Sequence, residues 1–435
     1  MNTRNLMIGE VFRTATIIKY LVVLLLILAL AGCAAPPAVQ PTPLPTSTPS
    51  PAPGTPPGGA TSVSTALPDT MDCLLVSTQS TPGSTEPSIF PPPGPDDHTL
   101  GPADAQVTFL EYTDYQAPAS AALDGVLDKL ARKYPKTVRR VFRLFPLPNN
   151  DKSSLAAALA EAAARQDKFW EMSQLLTDRQ SEWVNLDKAA FQDWANQRAL
   201  EIGLDAALLK KDLASQAVQT LVSGAQHFGL ASSIPTMPFL LVNGRIYQGP
   251  RDLRSLENLT NLLHMEPLQF TDCPAFIIDP QKSYIAELTT SKGVITIQLF
   301  PKEAPLAVNN FVFLARKGWY NGVTFHRVIK GQLAQSGDPS GTGFGSPGYA
   351  FRDEISNLVF NRPGVLAMAN AGPDSNGSQF FITLAPLPAL NGSNTIFGQV
   401  IKGLEILPLL TERDPSQPVA LPDGDPILKI DIREQ

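Results

Sequence analysis

At 435 residues the chain is longer than one hydrophobic core ordinarily supports, so two domains with additional segments are expected. The formal net charge is −6, from 34 basic and 40 acidic residues with no basic block, which argues against a nucleic-acid partner. The three cysteines (Cys33, Cys73, Cys273) form no CxxC pair and the four histidines (His98, His227, His264, His326) are scattered, so no metal site and no cofactor is expected.

Arg4, Arg13 and Lys19 precede an apolar run from Tyr20 to Ala31. A positive region followed by a short apolar run reads as a secretory address, too short for a spanning helix. The run ends in Leu30-Ala31-Gly32-Cys33, which resembles the lipobox of bacterial lipoproteins. The resemblance implies a signal peptide over 1–32, cleavage before Cys33 and a diacylglycerol on its thiol; an uncleaved anchor is the alternative. Acyl chains contribute ~0.8 kcal/mol per buried CH₂, so a lipid-anchored protein on the extracytoplasmic side of a cell membrane is expected. Ala34 to about Ala66 is Pro, Ser, Thr, Ala and Gly with almost no charge, and a second proline-rich patch runs from Pro87 to Pro95. Residues 33–96 therefore read as a tether carrying the lipid.

Gln106 to Tyr112 is strand-like, and Leu123, Val126, Leu127 and Leu130 then fall on one helical face. Thr137 to Phe145 reads as a second strand, followed by a long Ala- and Leu-rich helical region from Ser154 to about Phe228. Phe239 to Val242 is a strand entering an Asn243-Gly244 hairpin turn. This order, with Glu111-Tyr112-Thr113-Asp114-Tyr115-Gln116 running into Ala117-Pro118-Ala119-Ser120, resembles the DsbA-type thioredoxin-fold family over residues 97–265. Pro238 matches the family's cis-proline. Ala117 and Ser120 stand where the family carries its two redox cysteines. Thiol–disulfide exchange needs a thiolate nucleophile, so no oxidoreductase activity is expected; a client-docking groove or a plain spacer remain as roles. Cys73 and Cys273 flank this domain. Outside the cytoplasm leftover cysteines tend to pair, and a disulfide is expected, two free thiols being the alternative.

After a connection over 266–282, residues 283–435 change to short strands: Tyr284 to Leu288, Gly293 to Leu299, Thr395 to Val400. Between them lie an amphipathic helix opened by Pro305 and a glycine-rich loop, Gly337 to Gly348, which lacks the Gly-Lys-Ser/Thr of a phosphate cradle. Phe325-His326-Arg327-Val328-Ile329, Gln335-Ser336-Gly337-Asp338, Met368-Ala369-Asn370-Ala371-Gly372-Pro373 and Asn376-Gly377-Ser378-Gln379-Phe380-Phe381 together resemble the cyclophilins, peptidyl-prolyl cis-trans isomerases. The resemblance implies a mainly-β, eight-stranded closed barrel with two capping helices, following an α/β thioredoxin-like domain in a multidomain chain. It implies Arg327 as the catalytic residue, and Gln332, Leu333, Gln335, Ala369, Asn370, Gln379, Phe381 and Leu390 as the substrate-binding set. The resemblance also implies that His326 packs structurally, and no catalytic role is expected of it.

The chemistry asks for little else. Rotation about a peptide bond faces a barrier of ~18–20 kcal/mol because resonance gives it double-bond character. In the twisted state the prolyl nitrogen becomes a hydrogen-bond acceptor, and a permanently charged guanidinium fork suits it as donor. No proton transfer, metal or cofactor is required. Three positions depart from the family: Gln332 replaces a pocket phenylalanine, Ala389 the tryptophan that contacts cyclosporin, and Asn394 a pocket histidine. Reduced isomerase activity and poor cyclosporin sensitivity are expected. The leading expectation is a membrane-anchored isomerase acting on proline-containing exported polypeptides; the alternative is a non-catalytic, proline-peptide-binding chaperone.

Overall fold

A computed structural model describes residues 69–76, 89–417 and 421–435. Cys33, the run before it and most of the tether lie outside the described residues. Among the described residues no helix is long and apolar enough to cross a membrane.

The chain enters as a strap. Strand β1 (Leu74–Leu75) pairs antiparallel with Tyr349–Ala350, far along the chain. Met71 N donates to Pro274 O at 2.8 Å, Val76 N to Gly348 O at 2.9 Å, and Phe276 N to Asp69 O at 3.1 Å. Cys73 and Cys273 are joined in a disulfide, with their Cα atoms 5.8 Å apart.

The middle domain is a five-stranded sheet. Its strands are β2 (His98–Leu100), β3 (Val107–Thr113), β4 (Val138–Leu144), β5 (Phe239–Val242) and β6 (Arg245–Ile246), ordered β2-β4-β3-β5-β6 with only β3 and β4 parallel. Alternation along β3 sends Val107 and Phe109 into one core and Leu110 and Tyr112 into another, as the two-residue period of a doubly covered strand requires. Helix α1 (Pro118–Lys133) begins with the proline that suits a first turn and buries Leu123, Leu127 and Leu130 on the Val107 face.

The long helical region expected from Ser154 to Phe228 is in fact six helices: α2 (Ser153–Ala164), α3 (Phe169–Asp178), α4 (Gln180–Trp183), α5 (Lys188–Glu201), α6 (Ala206–Leu213) and α7 (Gln216–Ala231). The breaks have local causes. Asp187, Asp205 and Ser215 accept from the backbone N–H of Ala190, Leu208 and Val218 at 2.8, 2.9 and 3.3 Å, each starting a new helix; such caps contribute ~1 kcal/mol apiece. Together these helices enclose their own core of alanines, Met172, Leu176, Trp183 and Phe191. Helix α8 (Leu253–Met265) closes the domain, and the Met237–Pro238 bond is cis.

Inside this domain Arg140 donates to Glu111 Oε1 from Nε at 2.8 Å and Nη2 at 2.6 Å, and also to Asp124; all three side chains are buried. Two carboxylates share one guanidinium, and burial raises both of them above the ordinary carboxylate range. Burial pushes the Glu111 carboxyl up to about 7 against the pull of Arg140. A raised folded-state value means that the stabilising protonated form is fully present below the ordinary value of 4.5 and is lost as pH rises through about 7. The melting temperature of this domain is expected to fall between pH 5 and pH 8, and Glu111→Gln to flatten that dependence. Calorimetry of both chains across this range checks it; an unchanged slope in the variant would contradict the assignment.

The C-terminal domain contains β7 (Tyr284–Thr290), β8 (Gly293–Leu299), α9 (Pro305–Arg316), β9 (Arg327–Ile329), β10 (Leu333–Ser336), β11 (Tyr349–Ala350), β12 (Val365–Met368), β13 (Phe380–Thr383), β14 (Ile396–Lys402) and β15 (Ile427–Glu434). Eight of the strands form one sheet, ordered β15-β7-β8-β14-β12-β13-β10-β9, curled around Phe311, Tyr320, Phe325, Phe380 and Phe397. The expected closed barrel is therefore corrected to a curled half-barrel. The edge strands β9 and β15 share no ladder. Thr324 and Pro426 make a single bridge, with hydrogen bonds from Gly322 N to Ile427 O (2.7 Å) and Phe325 N to Asp425 O (3.0 Å) across the seam. The expectation of two capping helices is also corrected. Among the described residues of this domain α9 is the only α-helix, and Leu404–Leu409, with Pro408 inside it, is a 3₁₀ turn.

Residues 266–282, expected as a connection, are built into this domain. Phe270 packs on Phe313, Trp319 and Tyr349 at 5.2, 5.8 and 6.2 Å between ring centres, and Asn309 Oδ1 accepts from Ile277 N at 2.7 Å. With the strap and Cys73 seated on the same domain, the middle domain is an insertion between two segments of one C-terminal fold.

Candidate active site

The site is laid out by strand register. Gln335 on β10 stands opposite Arg327 on β9 and opposite Phe381 on β13, and Phe381 stands opposite Ala367 on β12. Directly opposed residues in antiparallel pairs share a face. Arg327, Gln335, Phe381 and Ala367 thus form a row on the outer face, while Val328, Ala334, Phe380, Ile382 and Leu366 point into the core.

A relay of amides runs along this face. Arg327 Nη1 donates to Gln335 Oε1 at 3.5 Å, Gln335 Nε2 to Gln379 Oε1 at 3.0 Å, and Gln379 Nε2 to the carbonyls of Gly343 and Gly345 at 3.0 Å each. The two glycine carbonyls set which end of the Gln379 amide is the donor, and that choice propagates back to Arg327. The half-buried guanidinium makes only this long bond among the described residues, leaving its other N–H groups free for a ligand. It forms no ion pair among the described residues, which excludes a salt-bridge role there.

Beside the relay lies an apolar wall. Leu333, Phe360, Val365, Ala367, Phe381 and Ile396 form a buried cluster, with Ala369, Leu387 and Leu390 half-buried around it; Phe381 is 4% exposed. The Phe360 and Phe381 rings stack at 5.8 Å. Asn370 is fixed through its Nδ2, which donates to Asp353 Oδ1 at 3.1 Å and Ser393 O at 3.2 Å, and Ala369 N donates to Gln379 O at 3.0 Å. Asn394 donates to Met368 O at 3.1 Å. The structure therefore brings together Arg327, Leu333, Gln335, Ala369, Asn370, Gln379, Phe381 and Leu390. Gln332 stands apart from the wall: its side chain is exposed at the turn between β9 and β10, and its carbonyl accepts from Leu384 N at 2.7 Å. Ala389 is likewise exposed.

Two groups that the sequence reasoning missed organise the site. The buried Asp338 carboxylate accepts from the backbone N–H of Ser340, Thr342, Gly343 and Gly345 at 2.8, 3.1, 2.7 and 3.1 Å, and so folds the glycine-rich loop around itself. Its signal was available, since an acid in an otherwise uncharged glycine-rich loop needs backbone donors to justify burial. Phe360 comes from a segment without strand or motif character, and nothing local marked it as the backing of Phe381. His326 is buried with neither ring nitrogen hydrogen-bonded among the described residues, and burial pushes it down, keeping the ring neutral.

In the middle domain Ser120 Oγ accepts from Asp114 N at 3.4 Å, and Ala117 precedes the first turn of α1. No sulfur stands at either position, so the thioredoxin-like domain has no thiol chemistry there.

Comparison with known proteins agrees with this geometry. Residues 285–433 match the family described as cyclophilin type peptidyl-prolyl cis-trans isomerase/CLD, and residues 94–263 match the family described as thioredoxin. Over 121 residues the chain is 54% identical to Peptidyl-prolyl cis-trans isomerase-like 1 of Mus musculus, covering 27% of this chain and 73% of that protein. The Aspergillus niger protein of the same name is 46% identical over 153 residues, covering 34% of this chain and 93% of that one. A crystal structure of a Cryptosporidium parvum cyclophilin type peptidyl-prolyl cis-trans isomerase is 40% identical, covers 35% of this chain and 98% of that chain, and has a TM-score of 0.32. The chain belongs, through its C-terminal domain, to the cyclophilin-type peptidyl-prolyl cis-trans isomerases.

Proposed function

We propose that this isomerase is held by a lipid on Cys33 to the extracytoplasmic face of a cell membrane and turns prolyl bonds in exported polypeptides. The relay from Arg327 through Gln335 and Gln379 to the glycine-rich loop is the observation that carries the catalytic assignment. The apolar wall of Leu333, Phe381 and Leu390 grips the proline ring. Gln379 and Asn370 hold the backbone on either side, and the Arg327 fork donates to the prolyl nitrogen as the bond twists. Binding the twisted state better than the planar one lowers the barrier. The groove beside Pro238 in the thioredoxin-like domain serves as a second contact for the client. A second reading, a holder of proline segments, follows from Gln332: exposed at the turn between β9 and β10, it leaves the wall without a counterpart of the family's pocket phenylalanine.

The anchoring is tested in the producing cell. Labelled fatty acid is expected to enter the wild-type chain and to partition with membranes, and Cys33→Ala to lose both label and membrane association. An unlabelled wild-type chain, or a membrane-bound Cys33→Ala chain, would contradict the lipid anchor.

A further inference from the structure

Phe344 sits at the centre of the glycine-rich loop and is 78% exposed. Its flanking residues, Gly343 and Gly345, are the two whose carbonyls receive the Gln379 amide. A bare aromatic ring thus projects from the backbone that orients a groove residue. The loop beneath it is firmly held. Asp338 gathers the N–H groups of both flanking glycines, and Phe344 N donates to Thr342 Oγ1 at 3.1 Å. Gly343 takes a φ of +84°, which favours glycine. At Gly345 an added Cβ would lie 1.9 Å from Asp338 Oδ1 and 2.8 Å from Met265 Sδ, so no side chain fits.

We propose that Phe344 is a specificity-determining residue that contacts the residue next to the target proline and makes prolines flanked by apolar side chains the preferred substrates. The proposal rests on the reading of the groove as a prolyl-peptide site. Three features support it. The backbone that carries the ring is fixed, so a substrate meets it without ordering the loop. It has an apolar face with nothing packed on it, which a substrate side chain can cover. The rim is otherwise uncharged: from Gly337 to Gly348 the only ionisable residue is Asp338, and it is turned inward. An apolar neighbour therefore gains contact, whereas the loop itself offers a charged neighbour no partner.

The test uses a panel of short prolyl peptides with Leu, Phe, Gly or Glu placed before or after the proline. The ratio of kcat/KM for apolar-flanked over glycine-flanked peptides is expected to fall about five- to tenfold in Phe344→Ala, mostly through KM, and to be largely kept in Phe344→Leu. Phe344→Lys is expected to move the preference toward the Glu-flanked peptides. A ratio unchanged in Phe344→Ala, or a Phe344→Lys chain with the wild-type preference, would overturn the proposal. Failure of the underlying reading looks different: the wild type would then isomerise no peptide of the panel.

Discussion

Arg327→Ala is expected to lower kcat/KM for prolyl isomerisation by about 100- to 1,000-fold, the usual cost of removing one donor aimed at a transition state. The side chain is half-buried on β9, makes one long bond to Gln335 and has no ion pair among the described residues. Its removal leaves no buried partner stranded, so stability should change by less than about 1 kcal/mol. The loss should fall on kcat and kcat/KM alike, because the prolyl nitrogen accepts a bond only once the peptide is twisted. Arg327→Lys keeps the charge but loses the planar fork, and only part of the rate should return. Steady-state kinetics on one prolyl peptide, with thermal melting as the control for folding, decides it. A variant that keeps wild-type kcat would remove Arg327 from the catalytic step.

Removing the Cys73–Cys273 bridge should cost the molecule about 2–5 kcal/mol. The cystine closes a loop with a sequence separation of 200, enclosing the whole inserted domain. In the chain-entropy account a loop of that length contributes on the order of 5 kcal/mol. The bond also keeps the strap on the C-terminal domain. Without it the strap keeps the two-residue pairing of Leu74–Leu75 with Tyr349–Ala350, the backbone bonds of Asp69, Met71 and Val76, and the buried Met71. The double replacement Cys73→Ser/Cys273→Ser avoids stray thiols. Its urea midpoint, followed by isomerase activity and by circular dichroism, should move well below that of the wild type. An unmoved midpoint would mean that the strap adds nothing to the stability of the fold.

What could be read beforehand divides along physical lines. Arg327, Gln335, Gln379 and Phe381 could be singled out because each lies in a short motif that carries the resemblance to the cyclophilins. The insertion was not. Leu74 and Leu75 follow a proline-rich stretch and look like more tether; only the distant strand at Tyr349 gives them a partner. For the same reason Phe270, Phe276 and Ile277 read as a connection until Phe313 and Asn309 are seen beside them. The six helices of the insert could have been separated from their capping residues, since Asp187, Asp205 and Ser215 are strong helix starts; Ala and Leu recur on both sides of the breaks and make the segment read as one region. The seam between β9 and β15 rests on a bridge of Thr324 with the distant Pro426, a pairing that no local pattern gives away.

The most direct test of the groove as a working isomerase is two-dimensional exchange NMR on a short alanyl-prolyl peptide with a catalytic amount of the soluble chain. Exchange peaks linking the cis and trans forms, present with the wild type and absent with Arg327→Ala, are the predicted result. Peptide shifts that report binding, with no exchange above the uncatalysed rate, would contradict it and leave the groove as a holder of proline segments.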